Sequence, residues 1–342
     1  MKYINLVNRL IIGAIGLASA GVFTACEQEF YEDEQYRKEI YIVSGEDNIF
    51  QQEFSFGKDI VGNISIYAGG TTPIENEVTV ELETDEAALQ EYNRKRYGES
   101  YDKYAQMLPE SRYTIGDWTV KLYPNKENPY SLFPIRVDVN GLEPEDVSFL
   151  PLRIASVSDY MISPSRKNVL LQVFVKNDYA TTKKTSYYTM NGTSLKVAKD
   201  TWKPLEMEKG EPKYNPINAT KAVAPVAEYG VRILTGSTVT TDRKELRKQG
   251  IIATVHPDEE VQVDVIGSDG LATGEKIKCQ KVTLAKWYDV DGGITVLNIE
   301  ETPSYYNPVK KEFTFNYRYN YKSNDWYEMK EIMTPLDITN NN

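Results

Sequence analysis

Apolar and aromatic residues recur at every second position along much of this chain, and the cleanest instance is Phe313, Phe315, Tyr317, Tyr319 and Tyr321. A period of two puts successive side chains on opposite faces of an extended strand, so such a run buries one face and wets the other. The same alternation marks Val78, Val80 and Leu82; Trp118, Val120 and Leu122; Ile135, Val137 and Val139; and Val261, Val263 and Val265. The stretch from Val169 to Val175 is almost continuously apolar, which predicts a central strand. Only two segments read as helices. Asp85 can cap one that passes Leu89 and Tyr92 and stops at Gly98, with a short turn around Tyr101 and Tyr104 before Pro109; Asp242 can cap another that passes Leu246 and stops at Gly250. The chain is therefore expected to be all-β, and its 342 residues suggest about two domains.

The polar stretch from Asn177 to Thr185 has no apolar period and marks the expected boundary. Short strands with turn residues before it predict a β-sandwich, and the antiparallel run after it favours a barrel or a strongly curved sheet, which removes exposed edges. The expected order is a leader over residues 1–25, a tether over 26–39, a sandwich with a short helical insertion over 40–176, a linker over 177–186, a barrel over 187–336 and a tail over 337–342.

Composition narrows the chemistry. His256 is the one histidine, and Cys26 and Cys279 are the two cysteines. A multi-histidine metal site, a zinc knuckle and an iron–sulfur cluster cannot be assembled from them, so no cofactor and no metal are expected. A formal charge of -11 repels the phosphate backbone, which sets nucleic acid aside as a partner. Tyrosines are 25 of the aromatic residues, and a tyrosine joins an apolar face to a polar tip, a combination suited to exposed strands and to sugars.

Lys2 and Arg9 precede an apolar, small-residue run over residues 10–22, and Phe23-Thr24-Ala25 leads to Cys26. That run is short for a bilayer span, and the whole segment reads as a signal peptide. A cysteine directly after the cleavage site resembles a bacterial lipoprotein signal, in which Cys26 is acylated and carries the outer-membrane lipid contact. The acidic stretch after it, Glu27, Glu29, Glu32, Asp33 and Glu34, reads as a solvated tether and resembles the surface-export signal of Bacteroidota lipoproteins. The expected location is the outer membrane, lipid-anchored and facing the exterior.

The segment from Glu91 to Tyr113, with Tyr92-Asn93, Tyr97-Gly98 and Leu108-Pro109, lies between the strand at Val78 to Leu82 and the run Leu150 to Ile154. It resembles an immunoglobulin-like family of unknown function that forms the N-terminal domain of Bacteroidota surface lipoproteins, many from polysaccharide-utilisation loci. The segments from Tyr187 to Gly192, from Thr220 to Pro225 and from Trp326 to Met329 resemble a second Bacteroidota family with a lipocalin-like or calycin-like barrel. These resemblances imply an immunoglobulin-like sandwich acting as a spacer and a calycin-like barrel as the distal, ligand-facing domain.

Sugars are held by flat aromatic faces with carboxylates and amides bonding the hydroxyls. The distal domain offers three clusters of that kind, Trp287-Tyr288-Asp289, Tyr305-Tyr306 and Asp325-Trp326-Tyr327, and Trp202 in a Pro-flanked stretch is a fourth candidate. Adjacent aromatics on a strand point to opposite faces, so one of each pair is expected in the core. Asp289 to Gly293 has the flavour of a calcium loop but reads better as a turn, and Glu259-Glu260 and Asp289 with Asp291 are carboxylate pairs that a glycosidase could use. His256 is expected solvated in an acidic turn; Cys279 is expected buried on a strand, although Lys276, Lys278 and Lys281 could lower its pKa. The leading expectation is a noncatalytic, lipid-anchored glycan-binding protein that captures saccharide for an outer-membrane transporter complex. The alternatives are a structural or adhesive surface protein working through an exposed strand edge, and a carboxylate-based glycoside hydrolase.

Overall fold

The computed structural model describes residues 36–57, 60–124, 128–266, 271–322 and 325–336. Cys26, the leader, most of the tether and the tail lie outside the described residues. Among the described residues no helix is long and apolar enough to cross a membrane. The architecture is all-β, in two parts.

The first part is a sandwich. One sheet orders its strands Met161–Ile162, Glu39–Ile42, Val61–Ala68, Tyr130–Val137 and Tyr113–Thr114; the other orders them Ile49–Ser55, Asn168–Lys176, Ser148–Val157, Val78–Thr84 and Thr119–Leu122. The alternating residues become the shared core: Ile40, Ile64 and Phe133 of the first sheet meet Phe54, Val80, Leu150 and Val169 of the second. Each such side chain contributes roughly 1.5–3 kcal/mol on burial. Between Val78–Thr84 and Thr119–Leu122 runs helix α1 (Glu86–Tyr97). Asp85 caps it by accepting from the Ala88 N–H at 3.2 Å, and Gly98 ends it at φ +58°, a left-handed conformation that a residue without Cβ adopts at no steric cost.

The second part is a meander that closes on itself. Ser186–Val197, Tyr214–Ala227, Gly230–Leu234, Gly250–Ile266 and Ala272–Lys286 pair in succession, antiparallel throughout. Ser304–Asn307 and Thr295–Asn298 share the next position, against the two halves of Glu312–Asn320. Glu312–Asn320 pairs with Trp326–Pro335, which pairs back to Ser186–Val197 and completes the barrel. Phe313, Phe315 and Tyr317, from the run with the clearest alternation, are fully buried inside it with Met329 and Met333 opposite. Helix α2 (Arg243–Gln249), capped by Asp242, precedes the longest strand. That strand runs through His256, where a turn was expected; a register shift between His256 and Glu260 absorbs the extra residues as a bulge. His256 Nε2 lies 2.8 Å from Thr283 Oγ1.

The two parts meet across an acidic loop. Glu143 pairs with Arg247 at 2.6 Å, Asp146 with Arg243 at 2.5 Å, and Glu145 with Arg232, whose side chain is almost fully buried. The stretch after Lys176 is anchored as well. Asn177 donates to the carbonyls of Ala227 and Gly230, the Thr181 hydroxyl donates to Glu53, and Tyr179 packs edge-on against Tyr306 and Phe313.

Candidate functional site

The aromatic candidates go to three different places. Trp287 and Tyr288 sit just past the end of Ala272–Lys286, so strand alternation does not apply to them, and their rings lie 4.8 Å apart instead of on opposite faces. The Arg232 guanidinium covers Trp287 at 4.6 Å and Arg247 covers Tyr288 at 5.4 Å. Tyr288 donates its hydroxyl proton to Glu143 at 2.8 Å. Both rings thus belong to the contact between the two parts of the molecule. Burial pushes the Glu143 carboxyl up, but the hydrogen bonds from Tyr288 and Arg247 and the charges of Arg247 and Arg243 outweigh it and hold the carboxyl below the ordinary range. Asp289 beside them is strongly exposed and paired with Lys286 at 2.6 Å.

Tyr305 and Tyr306 do alternate. Tyr306 is only 8% exposed and lies 4.6 Å from Phe313 in the barrel core, which removes it as a ligand contact; Tyr305 is half-buried on the other face.

The remaining candidates come together at one end of the barrel. Trp326 pairs with Val197 and packs outside the barrel with Leu195, and Trp202 closes over it with ring centroids 5.4 Å apart at 73°. Trp326 is 8% exposed, so it supports the site instead of touching a ligand; Trp202, half-buried, is the ring that reaches the surface. Trp202 holds φ +54°, an uncommon conformation for a residue with a Cβ, stabilised by its N–H donating to Ala198 O at 2.7 Å. Near this end of the barrel are Arg318, Glu328 and Lys196, which the sequence did not single out. Arg318 stacks 4.6 Å from the Trp202 ring and pairs with Glu328 at 2.7 Å; Lys196 bridges Asp325 at 2.8 Å. The Asp325 contact raises the Lys196 pKa. Tyr327 lies on the opposite face of its strand from Trp326 and stacks on Tyr319 at 5.5 Å. The pairing of Trp326–Pro335 with Glu312–Asn320 places Arg318 opposite Glu328, a register that no local pattern reveals. The result is one half-exposed indole held between Trp326 and the Arg318 guanidinium, with the Glu328 carboxylate paired beside it, so that the exposed part of the ring can meet an apolar sugar face while the two charged groups bond hydroxyls.

Three of the four acids weighed for catalysis, Glu259, Glu260 and Asp289, are tied up in surface pairs. Glu259 meets Lys281 at 2.7 Å and Glu260 meets Lys278 at 2.9 Å. Asp289 to Gly293 forms a turn in which the Gly293 N–H bonds to Val290 O, and among the described residues no group of three or more His, Cys, Asp or Glu is placed to hold a metal. Cys279 is buried as expected, and burial raises its thiol pKa where the neighbouring lysines suggested a lowering.

Family models match the chain in two consecutive parts, residues 36–161 as an N-terminal domain and residues 167–334 as a C-terminal domain. A protein of unknown function from Bacteroides ovatus superposes with a TM-score of 0.55 at 13% identity, covering 87% of this chain and 94% of that one. A multidomain protein including DUF1735, also from Bacteroides ovatus, gives 0.52 at 14% identity over 88% and 95%. A further Bacteroides ovatus protein of unknown function gives 0.51 at 13% identity over 89% and 94%. At these identities the likeness is one of fold. No curated protein matches the chain.

Proposed function

We propose that this two-domain Bacteroidota protein, with an N-terminal and a C-terminal domain matched by family models, binds glycan at the cell surface without transforming it. In this reading Cys26 is acylated and holds the body on the exterior of the outer membrane, with the calycin-like barrel presenting the binding end and delivering saccharide to a transporter complex. The observation that carries it is Trp202: a half-exposed indole in a loop, braced by Trp326 and by Arg318, which pairs with Glu328. Bracing matters because a ring held in place loses little freedom when a sugar stacks on it.

The test is affinity electrophoresis of the chain from residue 26 onward, unacylated through Cys26→Ser, in gels cast with starch, xylan, mannan, pectin or mucin. Retardation is expected in at least one, and Trp202→Ala should weaken it tenfold or more. Uniform free migration would sink the reading, and release of reducing ends would replace it with the hydrolase.

A second reading, adhesion by strand addition, is favoured by Tyr130–Val137. Its outer side is met by Tyr113–Thr114 at Val137 and Arg136, and Tyr130 and Leu132 are exposed along that edge. Pro134 on the same strand blunts such pairing, which ranks this reading second.

A further inference from the structure

We propose that helix α1 and the turn after it form a second, independent binding face for neutral saccharide, on the sandwich that the sequence assigns to a spacer. Four tyrosines run in series from core to surface. Tyr92 stands 5.1 Å from the buried Phe149 and 6.3 Å from Tyr97, Tyr97 stands 6.3 Å from Tyr104, and Tyr104 stands 5.2 Å from Tyr101. Tyr101, the outermost, is 71% exposed. A large aromatic face that open to water is the arrangement the distal tryptophans lack.

The face is built rigidly. The Asn93 amide donates to Ala105 O at 2.9 Å and accepts the Ala105 N–H at 2.8 Å, clamping the turn to the helix; the Tyr104 hydroxyl donates to Gly98 O at 2.6 Å. Asn93 is buried, so both halves of this clamp are desolvated and firm. The turn that carries Tyr101 and Tyr104 therefore needs little ordering on binding.

Charge selects the ligand. A depression of about 620 Å³ between α1 and Tyr101 holds one base, Arg94, and one acid, Glu99. Along the neighbouring stripe of the helix a cleft of about 490 Å³ holds two acids, Asp47 and Glu91, and two bases, Lys95 and Arg96, with Lys95 and Asp47 paired at 2.9 Å. Both volumes are those of small-molecule sites, and both sum to zero charge. A net-neutral site offers no steering to an anion or a cation, whereas its paired charges and the Gln90 amide can still bond hydroxyls. An uncharged oligosaccharide satisfies both the open ring and the neutral rim.

The experiment follows tyrosine ring signals by NMR in the unacylated chain carrying Trp202→Ala, which removes the barrel-end indole. Cellohexaose, maltohexaose, mannohexaose and xylohexaose are titrated singly, with a proline decapeptide as the competing chemistry. Saturable shifts with at least one hexasaccharide are expected, weakened tenfold or more by adding Tyr101→Ala, and also weakened by Arg94→Ala, a second exposed change that leaves the rings in place. Absence of any hexasaccharide response, a response insensitive to both substitutions, or a response to the proline peptide alone would overturn the proposal. Failure of the barrel-end site shows separately, as binding by the parent chain that Trp202→Ala leaves unchanged.

Discussion

Glu331 is buried at zero exposure inside the barrel, accepting from the Tyr317 hydroxyl at 2.8 Å and from the Gly236 N–H at 3.0 Å. Burial pushes its carboxyl up to about 7, against the opposing pull of these donors and of Lys221. Lys221, also buried, directs its ammonium to the carbonyls of Thr235 and Thr238, and burial pulls it down to about 8. The two shifts act in different pH windows. A raised carboxyl means that the folded state binds the proton more tightly, so its contribution is full below the ordinary carboxylate range and declines as pH rises to about 7. A lowered lysine is the mirror case, with stability recovered as pH climbs from about 8 towards the ordinary lysine range. The unfolding free energy read from urea titrations should therefore fall between pH 5 and 7, by on the order of 3 kcal/mol if Glu331 acted alone, and Glu331→Gln should flatten that decline. Identical pH profiles for the parent and the variant would show that another group governs this window.

Strand Ser186–Val197 pairs on both sides to close the barrel, and at Gly192 it lies close against the backbone of Trp326–Pro335. A Cβ there would collide with the Lys330 carbonyl and the Glu331 Cα, both backbone atoms that cannot swing aside. Gly192→Ala is expected to cost about 1–3 kcal/mol by overpacking, read as a lower urea midpoint. Gly116→Ala, where an added Cβ meets nothing within 4 Å, is the control and should leave the midpoint in place. Both helices were legible as elements. Asp85 and Gly98 bound α1 where the local pattern put them, as Asp242 and Gly250 bound α2, because a cap is chemistry between residues three or four apart. The bulge at His256 was hidden for the converse reason: it exists only relative to Gln280 and Lys281 on the partner strand.

Across the whole molecule, the arginines that face the acidic loop join sandwich and barrel. Arg232 is the most enclosed of them, so its loss strands Glu145 beside a partly buried interface. Arg243→Glu combined with Arg247→Glu places like charges against Asp146 and Glu143 and should split a single calorimetric unfolding transition into two. One unchanged transition would show that the anchored stretch after Lys176 is sufficient to couple the parts. This contact also decides where two of the expected ligand-site aromatics lie. Trp287 and Tyr288 had the composition of a sugar platform, but they lie in the contact between sandwich and barrel, against Arg232 and Arg247, which pair with Glu145 and Glu143 of the acidic loop.

From the sequence alone came what depends on composition and near neighbours: the strand periods, the two capped helices, the all-β class, the burial of Cys279 and the scarcity of histidine and cysteine. Alternation tells which side chains share a face of a strand, since a pleat repeats every two residues. It does not tell what covers that face. Arg318 over Trp202, Tyr306 in the core and Tyr101 left open to water were settled only when strands and loops far apart in the chain came into register, because a ring's exposure is a property of its surroundings and not of the residue that carries it.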